Sequence, residues 1–422
     1  MRLLYSIILY LLTPLVLLRM AWLGVKSPAY LSGWSRRLGI SIPDTGTGPL
    51  LWIHAVSVGE VMAAVPLVER LLRDHPRYRI LMTTITPTGA AVVRQRFGGE
   101  VIHSYLPYDF PHAVGRFVRK LKPVILLVME TEIWPNLFHH CNRNGISILL
   151  VNARLSRKSY NGYKKFRAFT REVLAKASKI AAQTTEDESR FIDLGADPAA
   201  VTVTGNMKFD LNVSPDSRRQ GQSLKHAVFA DRQVWIAAST HDGEERLILD
   251  AHRSILAKHP SCVLILAPRH PDRCIHVAEL CAEFGFNTVR KSSTITCSAD
   301  TAVFLLDTLG ELMVYYGAAD VAFVGGSLLP RGGHNVLEPA ALEIPVITGK
   351  YTENFTDINQ LLVENGAEMR VNSADKLAEK ICLLLGDPQL RRRMGRAGRE
   401  IVERNRGSTD RIMQLIGSFI PA

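Results

Sequence analysis

At 422 residues the chain exceeds one ordinary domain, and 47% hydrophobic with 22% charged residues is the make-up of a packed globular protein, which excludes a disordered or fibrous one. Length alone leads us to expect two domains of roughly 200 residues each. Fifty-one basic against 40 acidic residues give a formal charge of +11, which favours an anionic partner such as nucleic acid, a phospholipid surface or a phosphorylated substrate, without choosing among them.

Residues 3–18, LLYSIILYLLTPLVLL, are apolar or weakly polar, and the run resumes after Arg19 as MAWLGV. A bilayer core needs about 20 apolar residues, so a stretch interrupted by Arg19 is a short span at best. Arg19, Lys26, Arg36 and Arg37 follow the segment and only Arg2 precedes it, a bias that keeps the body of the chain in the cytoplasm. No clear small-x-small cleavage site argues for a signal peptide, so residues 1–30 are expected to be a membrane anchor, spanning or lying in the interface.

From residue 50 short apolar runs alternate with amphipathic stretches, the pattern of parallel α/β sheets covered on both faces by helices. LLWIHAV (50–56), RILMTT (79–84), VIHSYLP (101–107), PVILLVME (123–130), ISILLVNA (146–153), KIAAQT (179–184) and AVTVTG (200–205) are the strands expected of the first domain. A polar break, DLNVSPDSRRQGQS (210–223), reads as a linker. The rhythm restarts with VWIAAST (234–240), CVLILAPRH (262–270), AVFLLDT (302–308), VAFVGGS (321–327) and PVITGK (345–350). The expected organisation is an anchor over 1–30, a Rossmann-like domain over 31–212, a linker over 213–224, a second Rossmann-like domain over 225–405, and a C-terminal helix over 406–422 that packs back on the first domain. Six cysteines, at 141, 262, 274, 281, 297 and 382, contain no CxxC pair and no zinc spacing, and read as core residues of a reduced protein.

Ligands of open α/β sheets bind beyond the carboxyl ends of the strands. Three of those exits carry one pattern: Ser57-Val-Gly-Glu60, Thr308-Leu-Gly-Glu311 and Asn335-Val-Leu-Glu338 each place a capping side chain three residues before a glutamate. Helix initiation alone accounts for any one of them. The third follows a glycine-rich turn, GGSLLPRGGHN, which suits the approach of backbone amides to a phosphate, with Glu338 placed to accept hydrogen bonds from a ribose. The N-terminus of its helix is expected to hold Glu60 ionised by lowering its pKa.

The run GGSLLPRGGHNVLEPAALEIPVITG resembles the nucleotide-sugar site of GT-B glycosyltransferases. Together with WIHAVSVGE, METEIWPN (129–136), VNARLS (151–156), TGNMKFD (204–210), APRHPDR (267–273) and DTLGEL (307–312), it is similar to the 3-deoxy-D-manno-octulosonic acid (Kdo) transferases of Gram-negative lipid A assembly. The resemblance implies a GT-B fold, two doubly wound domains facing a cleft. It also implies an inverting transfer of Kdo from CMP-Kdo to the 6′-hydroxyl of a phosphorylated, tetraacylated glucosamine disaccharide, once or twice, at the cytoplasmic side of the bacterial inner membrane. On that resemblance Glu60 is the base that deprotonates the acceptor, and Glu130 and Lys208 stabilise the transition state. Pro268, Arg269, Leu309, Gly310, Glu311, Asn335, Val336, Leu337 and Glu338 bind CMP. No metal, cofactor or nucleic acid enters the scheme. The segment from Arg154 to Lys165 interleaves cations with tyrosines, and either docks on lipid phosphates and anionic headgroups or is a plain basic surface. Two rival readings stay open: a sugar-nucleotide epimerase or another GT-B transferase, and a tethered nucleotide-binding regulator in which Glu60 is only a cap.

Overall fold

The computed structural model describes residues 1–26, 28–30, 33–211, 213–214, 216–293 and 296–420. It contains two compact units, Met1–Asp210 joined by Asn405–Ala422, and Leu211–Arg404. The expected domain limits at 31 and 212 fall outside the described residues.

The first unit is built on a seven-stranded parallel sheet of β1 (Leu50–His54), β2 (Arg79–Thr84), β3 (Val101–Tyr105), β4 (Ile125–Met129), β5 (Ser147–Ala153), β6 (Lys179–Ala182) and β7 (Val201–Val203). Their order is β3-β2-β1-β4-β5-β6-β7. Every residue of β1 is buried because helices cover both faces. Leu50 and Trp52 join one core cluster, while Leu51 and Ile53 join the other. Each such side chain contributes about 1.5–3 kcal/mol of burial.

The second unit repeats the architecture with β8 (Val234–Thr240), β9 (Val263–Pro268), β10 (Thr288–Arg290), β11 (Val303–Leu305), β12 (Val321–Val324), β13 (Val346–Thr348) and β14 (Glu368–Arg370). Their order is β10-β11-β9-β8-β12-β13-β14, again all parallel. Along β8, Trp235 and Ala237 face one cluster and Val234, Ile236 and Ala238 the other.

Two expectations need correction. The expected linker 213–224 is helical from Ser217 on, within the helix Ser217–Phe229. Gly221 lies so close to Gly317 that a Cβ there would meet its carbonyl carbon at 2.3 Å, so a stretch that looks loop-like in composition is small because it packs backbone to backbone. The N-terminal apolar run is not one helix but two, Arg2–Leu11 and Thr13–Lys26, bent by 53°. Among the described residues no single helix is long and apolar enough to cross a membrane. Arg37, one of the basic residues after that run, is buried with its guanidinium 3.9 Å over the Tyr105 ring.

The first helix is tied to its unit by polar contacts: Tyr5 donates to Asp109 at 3.1 Å and Arg2 to Asn136 at 3.1 Å. Its apolar side chains, Leu3, Leu4, Ile7, Ile8 and Leu11, stay exposed, and Leu15, Leu18, Trp22 and Val25 continue that surface on the next helix. The C-terminal helix Ser408–Gly417 packs on the first unit, burying Ile412 and Ile416 in the core cluster that holds Val61 and Leu67.

Candidate active site

Strand order in the first unit reverses between β1 and β4, and each of the two strands delivers a glutamate to its exit. Glu60 stands on the first turn of the helix Val58–Asp74 that follows β1. Ser57 accepts from the Glu60 N–H at 3.4 Å and donates its hydroxyl to one carboxylate oxygen at 2.9 Å. The Val56 N–H donates to the other oxygen at 2.8 Å. Capping is therefore real, and it fixes both carboxylate oxygens.

The pKa expected of this group is reversed. Glu60 is 8% exposed, and burial pushes it up to about 7. The Glu130 and Glu132 carboxylates push the same way, while the Val56 and Ser57 hydrogen bonds oppose. Removal from water outweighs the partial charge of a helix end.

Glu130 directly follows β4 in left-handed backbone, φ 53°, a conformation that costs a non-glycine residue on the order of 1–3 kcal/mol. Its carboxylate lies 3.9 Å from the Lys208 ammonium. Lys208 sits on the turn Met207–Phe209 after β7, three strands from β4 in the sheet. Asn152 on β5, itself at φ 52°, draws the turn back by accepting from the Met207 N–H at 3.0 Å. Glu60, Glu130 and Lys208 thus share one edge of one sheet.

In the second unit the buried Glu244 carboxylate organises the strand exits. It accepts from four backbone N–H groups, those of His241 (3.1 Å), Gly326 (2.7 Å), Ser327 (3.0 Å) and Leu328 (2.9 Å), so it clamps the exit of β8 to that of β12. Pro268 ends β9, and Arg269 follows with its N–H on the Thr240 carbonyl and an exposed side chain. Asn335 donates to Glu338 at 3.1 Å and accepts from the Leu337 N–H at 3.1 Å. Burial raises the Glu338 pKa, opposed by Asn335 and by the nearby Arg269 charge. The helix here, Leu337–Ala341, has only five residues, so the macrodipole expected from sequence is slight and side chains carry the polarity. Leu309, Gly310 and Glu311 form the turn after β11, with Gly310 at φ 87° and Thr308 donating to Glu311. The next helix, Leu312–Ala318, starts after Glu311, so this glutamate is not inside a first turn as expected. All nine residues lie at the exits of β11, β9 and β12.

Residues 32–211 match the family profile "3-Deoxy-D-manno-octulosonic-acid transferase (kdotransferase)", and residues 231–401 match "Glycosyl transferases group 1". The chain is 42% identical to a 3-deoxy-D-manno-octulosonic acid transferase of Haemophilus influenzae over 99% of both proteins. The chain belongs to the Kdo transferase family. A Bordetella pertussis Kdo transferase is 36% identical over 91% of this chain and 90% of its own. The crystal structure of a UDP-N-acetylglucosamine 2-epimerase homologue from Listeria monocytogenes aligns over 88% of this chain and 97% of its own, at TM-score 0.55 and 15% identity, which shows a common fold and nothing further.

As a Kdo transferase the protein is a glycosyltransferase, and sequence motifs located most of the polar groups at its strand exits. Three groups escaped. Asn152, inside the apolar run ISILLVNA, and Glu244, in THDGEE, were each legible only as a polar residue near a strand end. His241 carries no pattern at all until the fold brings it to His334. Among the described residues no group of three or more His, Cys, Asp or Glu side chains is arranged to hold a metal ion.

Proposed function

We propose that the chain transfers Kdo from CMP-Kdo to the 6′-hydroxyl of a phosphorylated, tetraacylated glucosamine disaccharide with inversion, releasing CMP. Glu60 takes the hydroxyl proton as the oxygen attacks the anomeric carbon from the face opposite the phosphate. Lys208 offsets the charge of the Kdo carboxylate, and Glu130 balances the positive charge developing at the anomeric carbon. Arg269 meets the single phosphate of CMP, Glu338 and Asn335 hold the ribose side, and Leu309 to Glu311 read the base through backbone groups. No metal has a step in this scheme.

The observation that carries the reading is the Glu60 carboxyl, held at both oxygens and with its pKa near 7, which suits a base working at neutral pH. The test is Glu60→Gln, since glutamine also completes the capping box. Transfer to the tetraacylated acceptor should fall about 10²–10⁴-fold while CMP binding is unchanged. Retained turnover rejects the base and favours the cap.

The exposed apolar side chains of the two N-terminal helices favour an interfacial seat on an anionic inner-membrane surface, with Trp22 at headgroup level. Arg157, Lys158 and Lys165 are exposed and suit the same surface, whereas Lys164 and Arg167 are paired with Asp193.

A further inference from the structure

Strand order in the second unit reverses between β8 and β12, and one residue from each exit meets there. His241 follows β8, and His334 lies in the glycine turn after β12. Their Nε2 atoms are 2.8 Å apart, and the ring planes differ by only 9° with centroids 5.0 Å apart, the geometry of an end-to-end hydrogen bond between nearly coplanar imidazoles. Gly326 packs against the His334 ring so closely that a Cβ there would lie 2.8 Å from Cδ2. The Glu244 clamp holds the backbone of both His241 and Gly326, so the contact is built from buried parts and is not a chance meeting of surface rings.

An Nε2 to Nε2 hydrogen bond has room for one hydrogen, so one ring donates and the other accepts. The groups facing the pair are mostly cationic. Arg269 and His270 come from the exit of β9 and Arg331 from the glycine turn; Glu245 opposes them from the helix Glu244–Leu256, and the buried Glu244 carboxylate lies on the backbone of His241 and Gly326. Burial, the partner ring, Arg269 and His270 hold His334 down at about 4, and burial with His270, Arg331 and Arg269 lowers His241. The empty pair is therefore neutral at pH 7. A phosphate or carboxylate bound beside Arg269 cancels that cationic field and lets the pair take up one proton.

We propose that the His241–His334 pair is a proton-carrying contact of the donor site, which hydrogen-bonds the donor phosphate and passes it a proton as the sugar–oxygen bond breaks. This rests on the donor reading given above. In the balanced step the electron pair of the broken bond stays on the phosphate oxygen, which receives the proton of the imidazolium. The hydroxyl proton of the acceptor goes to Glu60. The pair is neutral again once that proton has passed to the phosphate, CMP leaves carrying it, and Glu60 gives its proton to water.

The test is calorimetric titration of CMP into the full chain at pH 7 in buffers of different ionisation heat, together with His334→Gln, which keeps a hydrogen-bond partner but carries no proton. The unsubstituted chain should take up about one proton more per CMP than the variant. Transfer by the variant should fall about 10²-fold in kcat, and its pH profile should lose the alkaline limb that reports the pair. Gly326→Ala, which displaces the ring without removing it, should show the same loss in part. CMP binding with equal proton uptake in both chains, or an unchanged pH profile, overturns the proposal while leaving the donor site standing. No CMP binding by the unsubstituted chain overturns the donor reading and this inference together.

Discussion

The carboxylate of Asp210 accepts a hydrogen bond from the N–H of Gly407 at 2.7 Å, joining residues 197 positions apart. Its other oxygen accepts from Thr409 at 2.5 Å, and Ser408 donates to the Gly205 carbonyl at 2.9 Å. The turn that presents Lys208 is thus held at both ends by the start of the last helix. Asp210→Ala leaves two backbone donors unpaired and should cost about 1–3 kcal/mol in urea unfolding. If Lys208 needs this support, transfer should fall as well, and ion pairing with Glu130 should weaken. Unchanged unfolding and transfer together would show that the contact is incidental.

A base works only when deprotonated, so under the proposed role of Glu60 the acid limb of activity follows its pKa. Activity should therefore rise with pH up to about 7 along that limb. Glu130→Gln removes one of two carboxylates that raise this pKa, so the limb of the residual activity should move to lower pH. A profile of kcat/KM against pH for both chains decides this. An unmoved limb would mean that another group sets it.

These two glutamates show what sequence can and cannot carry. Ser57-Val-Gly-Glu60 announces a cap, and the cap is there, with Glu60 reaching back to the Val56 N–H, one residue before the N-cap. The direction of the pKa is not legible, because it depends on burial in the folded unit and on the charges of Glu130 and Glu132, far away in the chain. Strands show the same division. Apolar runs such as PVILLVME and CVLILAPRH mark buried central strands, whereas β10 and β14, Thr288-Val-Arg290 and Glu368-Met-Arg370, are three-residue edges with no apolar run to announce them. His241 and His334 are 93 residues apart, and nothing local in either segment signals that they meet.

Glu244 is predicted to be the most sensitive structural residue of the second unit. Glu244→Ala strips four backbone donors of their acceptor, and the loss should be about 3–5 kcal/mol by denaturant unfolding. Glutamine, with a single amide oxygen, should recover only part of it. A cost under 1 kcal/mol would mean that water replaces the carboxylate.

Glu338→Ala should weaken CMP binding about tenfold or more while leaving unfolding nearly unchanged, because one charge-assisted hydrogen bond to a hydroxyl is worth roughly 1.5–3 kcal/mol. Calorimetric titration reads this directly, and wild-type affinity in the variant removes Glu338 from the nucleotide site.

Discontinuity of the first unit also fixes an order of assembly. Residues 1–210 are made before the second unit is complete, yet Ile412 and Ile416, which complete one of their core clusters, are made only after it. The Lys208 turn consequently waits through the synthesis of nearly 200 further residues for its last supports. A nascent chain stalled short of residue 405 holds the second unit without the finished lysine turn of the first, so the two halves of the enzyme mature in the reverse of their sequence order.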